Sequence, residues 1–148
     1  MYREAVIRIG EKDKFFKFRG GRYVMNEVLM AEDVKKLLAP FLEKGFVFEY
    51  LYQKGGDSSC VYICRFKKGK DFVDWREVSG GDEINIVCYV GGGYAFPALK
   101  TKYKKEFRTF KIKHLFKKAD LDERRAFMAE LLNKELSANP DNFYGIKL

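Results

Sequence analysis

The spacing of hydrophobic residues changes several times along the chain, and the order of those changes predicts its elements. From Arg3 to Ile9, Ala5, Ile7 and Ile9 fall on one face and Glu4, Val6 and Arg8 on the other, the period of two expected of a strand. Phe15 to Arg19 is a second short strand candidate, closed by Gly20 and Gly21. Tyr23 to Met30 fits either a third strand or the approach to a helix. From Glu32 to Lys44 the period lengthens: Val34, Leu37, Leu38, Phe41 and Leu42 stand three or four apart, acids occupy the first turn and Gly45 follows the end, which predicts a helix. Pro40 lies inside it and predicts a kink or an early stop there, because proline has no amide hydrogen and its ring collides with the preceding turn.

Strand patterns then return with glycine punctuation. Phe46 to Tyr52, Cys60 to Phe66, Phe72 to Val78 and Ile84 to Val90 are rich in aromatic and β-branched residues, and they are separated by turns such as Gly55-Gly56-Asp57 and Gly80-Gly81-Asp82. Four strands with no helix between them predict an antiparallel meander. After Pro97, which suits a first helical position, a period near 3.6 reappears: Phe96, Leu99, Tyr103, Phe107, Phe110 and His114 form one stripe. A strand reading of Phe110, Ile112, His114 and Phe116 covers only the end of this segment, so the helix is preferred; Ile112, Leu115 and Phe116 lie off the stripe and need a second contact. Asp120 and Glu123 form a capping-box pattern ahead of a helix whose apolar face is Phe127, Met128, Leu131, Leu132 and Leu136, ended by Asn139-Pro140. With Ala119 alone as a hinge, the last two helices should form a hairpin or a sharp bend. The tail Phe143 to Leu148 is apolar enough to dock on the body.

These elements define an α+β fold: an antiparallel β-sheet meander of five to seven strands, one inserted helix, and a C-terminal pair of helices packed on one face. The length of 148 residues fits a single domain spanning residues 1–148, and the hydrophobic content of 47% predicts a packed core. The N-terminal segment lacks the uninterrupted apolar stretch of a signal peptide or a membrane span, so a cytoplasmic, membrane-free protein is expected. Three cysteines, Cys60, Cys64 and Cys88, are too few for a disulfide scaffold and are expected to be free thiols.

Charge changes the picture most. The net charge is +8, and the segment Lys100 to Lys118 holds nine basic residues against Glu106 alone, while the rest of the chain is balanced. The entire excess sits in nineteen residues. Lys100 with Lys104, Lys104 with Arg108, and Lys113 with Lys117 are like-charge pairs at i,i+4, each costing a helix about 0.2–0.5 kcal/mol. Lys117 and Lys118 recover part of that at the helix C-terminus. If the stripe docks inward, the lysines face outward, where they can neutralise phosphates and release counterions. Lysine is a point charge rather than a planar fork, so the pattern favours phosphate contacts over base-edge readout. Lys100, Lys104, Lys105, Arg108, Lys111 and Lys118 are the expected contacts with RNA or DNA; a solvated face that keeps the protein soluble is the plainer alternative. An acidic protein partner is the second functional reading.

Other constellations are weaker. Cys60, Cys64, Cys88 and His114 offer the donors for tetrahedral zinc, but the two-residue cysteine spacing is missing, so no metal and no cofactor are expected. His114 is the only histidine and lies on the apolar stripe, which suits a core or boundary position better than acid–base catalysis. Asp71 with Asp74, and Asp82 with Glu83, are an odd number of residues apart, so on strands neither pair shares a face. Tyr103, Phe107 and Phe110 are read as packing rings, not as a stacking platform. Gly91, Gly92 and Gly93 are read as a strand-to-helix connection with the capacity for a phosphate nest. No catalytic residues are assigned, and binding is ranked above catalysis.

Overall fold

The computed structural model describes residues 5–7, 23–54, 60–78 and 83–148. Six strands, β1 (Ala5–Ile7), β2 (Val47–Lys54), β3 (Cys60–Lys68), β4 (Asp71–Val78), β5 (Glu83–Val90) and β6 (Gly93–Ala95), form one antiparallel sheet in chain order. The α+β meander expected from the spacing is present. The strand candidate over Phe15 to Arg19 lies outside the described residues, as do the two Gly-Gly-Asp turns.

Register follows the alternation. Tyr50, Cys64, Trp75 and Ile86 stand in one row across four strands, and Phe48, Phe66, Val73, Cys88 and Ala95 in the next. This face is covered by helices, and together they form the main core. Met30, Ala31 and Val34 come from α1 (Tyr23–Leu37), Phe41 from α2 (Ala39–Glu43), and Leu131, Leu132 and Leu136 from α5 (Leu121–Ala138). Phe41 meets Phe46, Phe66 and Phe143 at centroid distances of 5.3, 5.6 and 5.1 Å, which ties α2, the residue leading into β2, the strand β3 and the tail to one point.

The structure decides one reading that the spacing left open, shows one expected break and corrects a third reading. Tyr23 to Met30 is helical, so the first helix begins nine residues before Glu32. The break expected at Pro40 is present: the helix to Lys44 divides into two at Leu38, just ahead of Pro40, which has no N–H to donate to Lys36. The glycine run is a hairpin turn and not a strand-to-helix connection: Gly91 and Gly92 have φ of +60° and +86°, the conformation a two-residue hairpin loop requires, and β6 follows. The Gly91 N–H donates to the Asp71 carboxylate at 3.1 Å, so an internal anion takes one of the N–H groups that gave the run its capacity for a phosphate nest.

After β6 come α3 (Leu99–Lys102), α4 (Lys104–Lys113) and α5. The capping box is present: the Glu123 N–H donates to the Asp120 carboxylate at 2.8 Å, and the Asp120 N–H to the Glu123 carboxylate at 3.1 Å. The tail folds back as expected, with β7 (Asn142–Phe143) and β8 (Ile146–Lys147) forming a small hairpin that buries Phe143 and Ile146 in the core. Among the described residues no helix is long and apolar enough to cross a membrane.

The core also contains charge. Glu77 faces the helices from β4 at 2% exposure, and Arg125 of α5 grips it through Nε and Nη2 at 2.9 Å, while the indole N–H of Trp75 donates to it at 2.9 Å. On the opposite sheet face Asp74 is fully buried between Arg65 and Arg76, at 2.7 and 2.9 Å. Buried carboxylates persist because each has a guanidinium partner and further hydrogen bonds.

Candidate nucleic-acid interface

The basic segment is carried by α3, α4 and the turn that follows. Its helix is interrupted at Tyr103, which caps α3 and opens α4 with φ −107° and ψ 38°. The Tyr103 hydroxyl donates to Glu135 on α5, the Tyr144 hydroxyl donates to the same carboxylate at 2.8 Å, and Lys102 Nζ lies 2.6 Å from it. Burial pushes the Tyr103 phenol up to about 12, and the hydrogen bond to Glu135 adds to the rise. Burial works to raise the Glu135 carboxyl, but the hydrogen bonds from Lys102, Tyr103 and Tyr144 outweigh it and hold the group below its ordinary value.

Beyond this anchor the apolar stripe closes on α5. Phe110 stacks on Phe127 at 4.3 Å, Phe107 meets the same ring edge-on at 5.0 Å, and His114 lies against Phe110 at 4.6 Å. Leu99 and Tyr103 join the main core. The stripe therefore packs inward except at its first member: Phe96 is 73% exposed.

Cations occupy the other side. Lys100, Lys104, Lys105, Arg108, Lys111 and Lys118 are all exposed, and none has an ion-pair partner among the described residues. At about 100° per residue, Lys104, Lys105, Arg108 and Lys111 fall within roughly a third of the circumference of α4. The lysine ion pairs of this region among the described residues involve other groups, Lys102 with Glu135 and Lys134 with Glu106 at 3.5 Å. Two details differ from the expectation. Lys100 and Lys104 lie on separate helices, and Lys113 and Lys117 are divided by the helix end, so Lys104 with Arg108 is the like-charge i,i+4 pair that remains within α4. Lys117 and Lys118 lie beyond the last turn, where Lys111 and Lys113 take the favourable position against the helix dipole. The connection to α5 is also longer than the single hinge residue expected, running from His114 to Asp120.

The second contact needed by Ile112, Leu115 and Phe116 is not made within the described structure. They are 55%, 63% and fully exposed, and they stand among Lys111, Lys113, Lys117 and Lys118.

A cleft of about 580 Å³ adjoins this surface. Because β6 pairs only with Cys88, Tyr89 and Val90, the outer edge of β5 from Glu83 to Val87 has no partner strand among the described residues. The segment from Phe96 to Lys100 forms the facing wall. Sequence reasoning missed both the cleft and the exposed ring of Phe96. The one available signal was Pro97, which prevents β6 from extending along the rest of β5.

The remaining candidates resolve into structural roles. Cys64 is fully buried, with its Sγ 3.9 Å from Met30 Sδ, and burial raises its thiol well above the usual range. Cys88 is pushed up to about 12 by burial, with Asp74 adding to the shift. Among the described residues no three metal-ligating side chains gather in one place. His114 Nδ1 lies 3.9 Å from Glu123, and its buried Nε2 has no hydrogen-bond partner among the described residues. Asp71 accepts the Gly91 N–H through one oxygen, and the buried Asp74 is held by two arginines.

No protein-family model, curated protein or solved structure matches the chain. Fold and face together define it as an α+β protein with a basic helical surface.

Proposed function

We propose that the protein is a non-enzymatic binding protein whose lysine-rich helical face, Lys100, Lys104, Lys105, Arg108, Lys111 and Lys118, takes a polyanion, most simply RNA or DNA without strong sequence preference. The observation that carries this reading is that all six cations are exposed and unpaired among the described residues, four of them on α4, whose other side is held by Phe107 and Phe110, with Lys100 on α3 and Lys118 in the connection to α5. A cluster of exposed cations suits a phosphate backbone: each contact releases condensed counterions, and five of the six are point charges that do not discriminate between bases. The test is a filter-binding titration with Lys104→Glu, Arg108→Glu and Lys111→Glu combined. These side chains are exposed, so the triple variant folds, and binding of a mixed-sequence oligonucleotide at low salt is abolished. Undiminished binding by the triple variant, or no binding by the wild type, refutes the reading.

A second reading, a module that engages an acidic protein partner, is favoured by the exposed Ile112, Leu115 and Phe116. Apolar side chains ringed by lysines suit a protein surface that is itself apolar and acid-rimmed. A single stoichiometric protein partner that persists after nuclease treatment, and is lost in Phe116→Ser, supports it.

A further inference from the structure

We propose that the polyanion is a single-stranded nucleic acid and that the cleft beside the free edge of β5 takes one of its unpaired bases, an inference that rests on the polyanion reading above. The volume of about 580 Å³ falls within the range of roughly 300–1,000 Å³ common for small-ligand sites. Its walls suit a planar heterocycle. Ile84, Leu99 and Met128 supply apolar surface on the helix-covered side of β5, and Asn85, on the other face of the same edge strand, carries an amide whose oxygen can accept and whose N–H already donates to Glu83 at 3.5 Å. Phe96 lines the same cleft, is largely exposed, and contacts no other aromatic ring among the described residues. Such a phenyl face is what a base stacks on in sequence-tolerant single-strand binding.

Continuity points the same way. Lys100 is the unpaired cation among the described lining residues; Arg76 also lines the cleft but is paired with Asp74, and the exposed Glu83 accepts from the Asn85 amide at 3.5 Å at its edge. Lys100 belongs both to the cleft and to the set of exposed cations, which connects the cleft to the basic segment. A duplex keeps its bases paired and stacked and has no free base face to offer. Electrostatics alone favours the duplex, whose phosphates are denser, so a preference for single strands has to come from base contacts.

The experiment compares fluorescence anisotropy for a mixed-sequence single strand, a duplex of equal length and inorganic polyphosphate, with wild type and Phe96→Ala. The wild type should bind the single strand at least about tenfold more tightly than the duplex, and Phe96→Ala should weaken single-strand binding about 5- to 100-fold. Polyphosphate, which has no bases, should be held equally by both proteins. If polyphosphate binds but strand and duplex are equivalent, or if Phe96→Ala leaves the strand unaffected, the base site is overturned while the basic face stands. If no polyanion binds, both fail. If Phe96→Ala instead weakens an extended acidic peptide and spares the oligonucleotide, the cleft is a strand-addition groove and the proposal is overturned.

Discussion

Removing the Arg125 side chain isolates a carboxylate in the protein interior. Glu77 is 2% exposed, and Arg125 supplies three contacts to it at 2.9–3.2 Å from Nε and Nη2. In Arg125→Met the carboxylate keeps only the Trp75 indole N–H, at 2.9 Å. Breaking a buried ion pair from one side costs about 3–5 kcal/mol, a large fraction of the roughly 5–15 kcal/mol that holds a domain together. With a urea slope of about 1–3 kcal/mol/M, the midpoint should fall by roughly 2 M. Glu77→Gln should cost less, because Arg125 then retains Asp33 and Asp122 at 3.8 and 3.9 Å, both more exposed and able to screen it. The double variant Glu77→Met, Arg125→Met should recover most of the loss, since an apolar pair of similar size leaves no charge uncompensated. Trp75, the only tryptophan, sits against the pair and reports unfolding by fluorescence. A loss below about 1 kcal/mol in Arg125→Met, or a double variant no better than the single one, refutes the reasoning.

The Tyr103 phenol titrates near 12 in the folded protein against about 10 when unfolded, so its contribution to stability is intact below pH 10 and is lost as pH rises towards 12. Tyr103→Phe should therefore flatten part of the alkaline loss of stability, measured as denaturation midpoints at several pH values. Gly145 has φ of +94°, and a Cβ there stands 3.0 Å from Val90 Cγ1, so Gly145→Ala should cost more than about 1 kcal/mol and lower the melting temperature. Gly91→Ala, also at positive φ but with open space around the added methyl, should cost less; equal melting temperatures would contradict this.

Features set by neighbours in sequence were legible in it. The strands β2 to β5 follow the alternation, the Asp120 and Glu123 cap is a four-residue pattern, and the lysine run is contiguous. What escaped was set by distance. Glu77 and Arg125 are 48 residues apart, and each looks like an ordinary surface charge until β4 and α5 are packed together. β6 is only three residues long, too short for a periodic signal, and its shortness leaves the edge of β5 open. Phe96 matched the helical stripe by spacing, but Pro97 and Ala98 separate it from the helix, so the ring does not turn inward with the others. The break at Tyr103 likewise coincides with a bond to Glu135, 32 residues on.

The affinity for a labelled single-stranded oligonucleotide, measured across a salt series, tests the central claim that the row from Lys100 to Lys118 meets phosphates. Six contacts at about 0.7 released ions each give a slope near −4 in log affinity against log salt, a loss of roughly 300-fold between about 50 and 200 mM. The account predicts that slope, with a decrease of about 0.7 for each lysine changed to glutamine. A slope near zero, or one that the substitutions leave unchanged, would contradict it.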